Sequence, residues 1–395
     1  MRKYYFLALA LLMACSHAKE SIKNRVETIE INTEEIEDSV DVSSLIKEIR
    51  LVPLEEIEDN YLKGVDRVLI TEDHYILFDR FMSDEVKVYD RQGKFVKRLG
   101  EKGEGPLEVR QINDYWLNDE GSLEIYDFNL KKIVVFDKDF NADSSFRTKD
   151  LLIFSNVTKL LGHEGYVGFK SYSHHNGPFN NLHYKLGFLD KDFGLKNTAL
   201  SYSPELDGTL IVTPINPFEL YRDSIRFYQN FDATIYHVQS PGTLIKRFAI
   251  KYHPHPMPEN WEQEVILPNG AYFKSREHDF EKVKSIFKGK SGFAGDWKES
   301  AKYVIINSFD ENYNRFYSLY SKSGNKVISN GRALIEKDRY QMALPPIQVV
   351  DEEKDMFVGV WQGALLKEYI LMQNSPFQEK IKDLEGFYLV EVTFQ

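Results

Sequence analysis

The sequence predicts an all-β fold, a β-propeller of six four-stranded antiparallel blades, and three observations carry that expectation. Strand-turn-strand units recur at near-even spacing, the composition favours strands, and the two chain ends each hold a segment able to close a ring. The clearest unit is Val86-Lys87-Val88-Tyr89-Asp90-Arg91-Gln92-Gly93-Lys94-Phe95. Val86, Val88 and Phe95 alternate with Lys87, Tyr89 and Lys94, the period of a strand with one buried face. Asp90 and Gly93 supply the turn: the carboxylate accepts nearby backbone N–H groups and glycine accepts positive φ. Aligned on the first turn residue, Asp90, Asp137, Asp190, Gln239 and Ser321 fall 47, 53, 49 and 82 residues apart. Three gaps match a propeller blade of roughly 40–50 residues. The fourth holds one blade and an insertion. There, His253-Pro-His-Pro-Met-Pro258 breaks the strands and Glu277 to Lys288 reads as a short helix, so a small helical insertion is expected near 255–290.

Taken in order, Met1-Arg2-Lys3 is a basic start, Tyr4 to Ala14 is apolar, and Cys15 follows. This is a secretory signal over 1–14, too short for a permanent span. Leu12-Met13-Ala14-Cys15 resembles a bacterial lipobox, in which the signal is cut before a cysteine that is then lipidated. Cys15 is the single cysteine, so no disulfide forms within one chain. Residues 15–25 read as a lipidated tether, and 26–395 as one propeller domain. No acidic run follows Cys15, which points to an outer-membrane lipoprotein on the periplasmic face rather than the cell surface.

Val26–Ile31 and Ile49–Leu54 are candidate amino-terminal strands, and Ser43–Ile46 a helical turn. A first unit follows, from Val65 to Gly100. The second runs from Val109 to Phe140, and the third, fourth and fifth end on the turns at Asp190, Gln239 and Ser321. A worn sixth unit takes Gln348–Val350, Met356–Val360 and Phe387–Val392, with Ala364–Met372 as a helical alternative. A ring abolishes exposed strand edges. The expected closure pairs an amino-terminal strand with the carboxy-terminal ones, which makes one domain of a length that generically suggests two or three, at about 150 residues each.

The hairpin at Asp90, with Leu99-Gly100-Glu101-Lys102-Gly103-Glu104-Gly105-Pro106 after it and Val52-Pro53-Leu54-Glu55 before it, resembles the six-bladed β-propeller lipoproteins of Bacteroidota, related to NHL-repeat and TolB-like propellers. The resemblance covers roughly residues 26–394. It implies fold and location, and little activity.

Composition narrows the function classes. A net charge of −11 with no basic stripe argues against a nucleic-acid partner. Gly103-Glu104-Gly105-Pro106 lacks the lysine and helix of a phosphate loop and serves as a crossing between blades. No Gly-x-Ser-x-Gly, His-Glu-x-x-His or Cys-x-x-Cys motif occurs. His174 and His175, near His163 and His183, are adjacent, so on a strand they face opposite ways. His253 and His255 share a face, and neither group is assigned a metal; no cofactor is assigned. The Asp90, Asp137 and Asp190 series is turn chemistry rather than calcium ligation. Arg110, Trp116, Tyr172, His174, Asn176 and Arg222 are the candidate ligand-binding residues, read as lying in or near loops that converge on a propeller mouth. The expected function is a binding or scaffold lipoprotein, held to the membrane through Cys15, that recognises a peptide, glycan or protein partner at the mouth. The alternative is a metal-dependent hydrolase or lyase of the NHL type with its site in the channel.

Overall fold

A computed structural model describes residues 26–58, 61–148, 154–173, 182–239, 242–275 and 279–395. The signal peptide, Cys15 and the tether lie outside the described residues, as do His174, His175 and Asn176.

Six sheets of antiparallel neighbours follow one another along the chain. They are Arg67–Ile70, His74–Asp79, Glu85–Asp90, Phe95–Leu99; Asp114–Leu117, Leu123–Asp127, Lys132–Phe136, Ala142–Arg147; Asn156–Lys159, Tyr166–Phe169, Tyr184–Leu189, Leu195–Ser201; Phe218–Tyr221, Ser224–Phe227, Thr234–Gln239, Thr243–His253; Gly292–Glu299, Tyr303–Phe309, Arg315–Ser321, Lys326–Gly331; and Ile347–Asp351, Met356–Gln362, Phe387–Phe394, Ile46–Pro53. A seventh, of three strands, joins Val40–Asp41 to Leu334–Glu336 and Met342–Ala343.

The propeller therefore has seven sheets, and the expected count of six blades is corrected. The reason is physical. The seventh sheet has strands of two or three residues and no turn of its own kind, so it leaves no hairpin spacing to read. It is held by burial: Val40, Leu334 and Met342 share one core with Ile305 and Leu319 of the fifth sheet and with Ile347, Phe357 and Val390 of the sixth.

Closure occurs between Ile46–Pro53 and Phe387–Phe394, paired antiparallel from Pro53 opposite Tyr388 to Ile46 opposite Phe394. The sixth sheet is a full four-stranded unit, not a worn one. The other amino-terminal candidate, Glu27–Asn32, instead adds a fifth strand to the fourth sheet, parallel to Thr243–His253. Alternating Ile29 and Ile31 are buried there beside Phe248, Ile250 and Trp297.

The turns repay the sequence reading. Asp90 Oδ1 accepts the N–H groups of Gln92 and Lys94, both at 2.9 Å. Asp137 does the same for Asp139 and Asn141 at 3.0 and 2.8 Å, and Asp190 for Asp192 and Gly194 at 3.0 and 2.7 Å. The Asn141 N–H holds the Asp137 carboxyl below its usual range. The fourth turn position has positive φ in each: Gly93 at 86°, Phe140 at 60°, Phe193 at 64°. Placing phenylalanine there is strained. The carboxylate clamp and the burial of both rings offset the strain.

Candidate functional site

The order of strands fixes two unlike ends. Connections that precede a first strand, or join second to third, gather at one end of the ring. Connections from first to second, or third to fourth, gather at the other. The latter are turns of two to six residues. The former include 54–66, 100–113, 202–217, 363–386 and the longest, the 38 residues 254–291; 332–346, on the same side, carries two strands of the seventh sheet.

The 254–291 insertion is helical at 262–274 and at Phe280–Phe287, the latter capped by Asp279, whose side chain accepts the Glu281 N–H. It is clamped onto the ring by aromatic packing. Phe287 stacks between Phe231, with ring centroids 4.6 Å apart, and Tyr313 at 5.1 Å. Trp261, Val265, Ile266 and Phe273 are buried in the same cluster as Tyr172 and Tyr202. Beneath them Lys185 is buried in an ion pair with Glu262. Its Nζ donates to Gln229 Oε1 at 3.1 Å and stands 4.8 and 5.3 Å from the rings of Tyr172 and Trp261. Tyr172 donates its hydroxyl to Glu262 at 2.6 Å. Nearby, Asp207 accepts the Tyr202 hydroxyl at 2.9 Å and lies 3.2 Å from His183 Nδ1.

The loop-rich end is also where apolar side chains meet solvent. Among the described residues fifteen large hydrophobic side chains are exposed, and twelve belong to connections of this end. None lies in a turn of the opposite end. Three of them form a patch over the first sheet: Phe81 at 69%, Met82 at 67% and Tyr61 at 58%; Leu220, Phe280 and Val212 are exposed to a like degree elsewhere. The two connections that carry them are tied together, because Asp66 accepts the N–H groups of Arg80 and Phe81 at 2.8 and 3.3 Å. Leaving such side chains in water forgoes about 1.5–3 kcal/mol each, and contiguous patches of this kind mark interaction sites.

A cavity of about 600 Å³ lies among the first strands of the first four sheets and the sixth. Two of its lining residues, Arg67 and Glu219, belong to buried ion pairs, and a third such pair joins the fourth and fifth sheets. Arg67 Nη1 meets Asp114 at 2.5 Å, Arg226 meets Glu299 at 3.0 Å, and Lys298 pairs with Glu219. Burial pushes the Glu219 carboxyl above its usual range.

The four predicted site residues that are described, Arg110, Trp116, Tyr172 and Arg222, do not converge. Arg110 is exposed at the loop-rich end, its guanidinium 3.8 Å from Glu104. Tyr172 is at the same end but buried under the insertion as a packing residue. Trp116 lies in the strand Asp114–Leu117, one residue from its end; it lines the cavity wall, buried, with Nε1 donating to Glu124 at 2.8 Å. Arg222 sits at the opposite end, in the turn after Phe218–Tyr221, with its guanidinium 5.3 Å from the Tyr221 ring. His253 is exposed and bonded to Glu30 at 2.6 Å. Among the described residues no three or more His, Cys, Asp or Glu side chains gather as a metal site, and no helix is long and apolar enough to cross a membrane. Sequence reasoning missed Arg67, Lys185, Glu219, Arg226 and Lys298. For Lys185, Glu219 and Arg226 the one signal was a lone charge between apolar neighbours, as in Tyr184-Lys185-Leu186 and Ile225-Arg226-Phe227; Arg67 beside Asp66 and Lys298 beside Glu299 gave none.

Comparison with known proteins places this arrangement in a family. The chain belongs to the DUF4934 family, a domain of unknown function, which matches residues 26–387. The fold is that of a β-propeller, like the crystal structure of a Bacteroides fragilis protein assigned as exported, with a TM-score of 0.69 at 15% identity over 94% of this chain and all of that one. A DUF4221 member from Bacteroides vulgatus gives a TM-score of 0.46 at 8% identity, over 89% and 97% of the two chains. Virginiamycin B lyase from Staphylococcus aureus gives 0.37 at 10% identity over 83% and 81%, a likeness that carries no argument about activity. No curated protein matches the chain.

Proposed function

We propose that this protein is a cell-envelope binding or scaffold lipoprotein whose loop-rich end docks a peptide or protein partner. The observation that carries the reading is the confinement of loop-borne exposed apolar side chains to that end. Lipidation of Cys15 and a short tether would hold the propeller at the outer membrane, facing the periplasm. The export assigned to the Bacteroides fragilis relative is consistent with this. The affinity to NHL-repeat and TolB-like propellers, drawn from the Gly103-x-Gly105-Pro106 crossing, belongs to the same proposal.

The anchor and the docking end fit together. Glu27–Asn32 runs parallel to Thr243–His253, from the side of the short turns toward the insertion. The tether therefore leaves on the turn side, and the apolar loops point away from the membrane. No specific observation favours the hydrolase or lyase alternative. Fractionation tests the anchor: Cys15→Ala is expected to move the protein from membrane to soluble fractions, and unchanged fractionation refutes lipidation. Co-purification from native membranes, with Phe81→Ser/Met82→Ser as the matched control, tests docking. Loss of a specific partner in the control supports it, and retention of every partner refutes it.

A further inference from the structure

The chain's own amino-terminal strand shows how a groove between two sheets of this ring is filled. Glu27–Asn32 lies along the outer edge of the fourth sheet, parallel to residues 248–253. Its Ile29 and Ile31, 1% and 0% exposed, pack among Phe248 and Ile250 of that sheet and Tyr320 and Val327 of the fifth. Its carboxylates meet cations of the host strand. Glu27 is 3.4 Å from Arg247, and Glu30 is 3.7 Å from Lys251 and 2.6 Å from His253.

An equivalent groove lies between the first and second sheets, and β-bulges fix the equivalence. In the fourth sheet the outer strand skips one residue between Lys246, opposite Tyr236, and Phe248, opposite Ile235. In the first sheet the skip falls between Phe95, opposite Tyr89, and Lys97, opposite Val88. Residues 97–102 therefore take the places of 248–253. On the facing sheets the same feature puts Phe136 and Ala142 where Tyr320 and Val327 stand. A cavity of about 510 Å³ opens there, lined by residues 97–101, by 105–108, and by Phe136, Phe140 and Ala142. Leu107, on its rim, is 37% exposed. Among the described residues Phe95–Leu99 pairs with Glu85–Asp90 alone, so its outer edge is open to another chain.

Charge selects the guest. Thr243–His253 carries Lys246, Arg247 and Lys251 and no acid, and it holds an acidic strand. Phe95–Leu99 carries Lys97 and Arg98 and no acid. The other outer strands are less cationic: Ala142–Arg147 and Ile46–Pro53 include acids, and Leu195–Ser201 and Lys326–Gly331 have one lysine each. Lys97 donates to Asn141 at 2.7 Å and Arg98 lies 3.3 Å from Glu85, surface contacts weak enough to exchange.

We propose that this groove takes an extended, acidic segment of a partner protein, apolar at alternate positions, added as a fifth strand parallel to Phe95–Leu99. Backbone pairing to the open edge supplies affinity. Apolar side chains entering between Leu99 and the Phe136–Ala142 wall fix the register, and carboxylates engage Lys97 and Arg98. The groove includes neither Phe81 nor Met82 and does not depend on docking at that patch.

The test is fluorescence anisotropy of the full mature chain with a labelled peptide of residues 26–32, the sequence that fills the fourth sheet's groove, followed by hydrogen exchange of the complex. Saturable binding with slowed exchange at 96–101 is expected. The Glu27→Lys/Glu30→Lys peptide is expected to bind about tenfold more weakly, and Ala142→Trp, which fills the groove, to abolish binding. No saturable binding, equal binding of the two peptides, binding unchanged by Ala142→Trp, or faster exchange at 27–32 with none slowed at 96–101 overturns the proposal. The exchange map uses the unmodified chain, so a variant that fails to fold does not shelter it.

Discussion

The two ends of this propeller obey different rules. At the turn end, connections are short, aspartates clamp the backbone, and large apolar side chains stay out of solvent. At the loop-rich end, long connections pack a helical insertion onto the ring through buried aromatics and a buried lysine, yet leave Phe81, Met82 and Tyr61 in water. A chain that buries Trp261 and Phe287 so completely has the means to cover Phe81 as well. That it does so at one end only separates the end built for stability from the end left open for recognition.

The comparison can be broken first at the insertion. Glu262→Ala strips the buried Lys185 of its carboxylate, and loss of one partner of a buried pair costs about 3–5 kcal/mol. The expected readout is local: faster hydrogen exchange over 254–291, with exchange in the six larger sheets little changed. Uniform loss of protection would show that the insertion belongs to the ring's own core.

At the turn end, Gly93→Ala is the sharpest probe. Gly93 has φ of 86°, and a Cβ there would lie 2.0 Å from the Pro53 carbonyl oxygen on the closing strand. Destabilisation of about 3 kcal/mol is expected in denaturant unfolding. Gly105→Val, in the crossing of the loop-rich end, is expected to cost less, because the atoms its Cβ would meet, at 3.0 Å, belong to the flexible Glu108 carboxylate.

Lys170 gives a titration at the loop-rich end. Its Nζ is bonded to the Ser173 carbonyl at 2.9 Å and faces the Tyr184 ring at 4.4 Å. Burial pulls its pKa down from 10.5 to about 8. Between those values the unfolded chain holds the proton that the folded chain has released, so stability rises with pH from about 8 toward 10.5, by no more than about 1.4 kcal/mol per pH unit for one proton. Buried tyrosines such as Tyr126 and Tyr236, whose pKa values burial raises, oppose this above pH 10. Thermal melts of Lys170→Met should lack the rise between pH 8 and 10; an unchanged profile would assign it elsewhere. The smallest effect on stability belongs to Phe81→Ser/Met82→Ser, expected within about 0.5 kcal/mol because both side chains are already in water.

Much of the fold was legible because its cues are local. The aspartate turns, the strand positions, ring closure by one of two amino-terminal segments and the helix that spans Phe280–Phe287 could be read from short stretches of sequence; a single buried face at Val86–Tyr89 was the wrong inference, because Lys87 and Tyr89 are buried as well. What escaped depends on distant partners. The seventh sheet needs Val40 and Leu334, far apart in the chain, and the helices of 262–274 follow a run of prolines that reads as a breaker. Nothing near Trp116 in the sequence shows that Glu124 and Tyr166 complete its surroundings. Arg67 and Glu219 look like ordinary charges until the ring buries them in ion pairs beside one cavity.

The most direct measurement is site-specific photo-crosslinking in cells, with a photoreactive residue placed in turn at 81, 82 and 212 of the loop-rich end and at 91, 138 and 191 of the turn end. The account requires discrete protein adducts from the first three positions and none from the second three. Adducts of equal yield from both sets, or from the turn end alone, would contradict it.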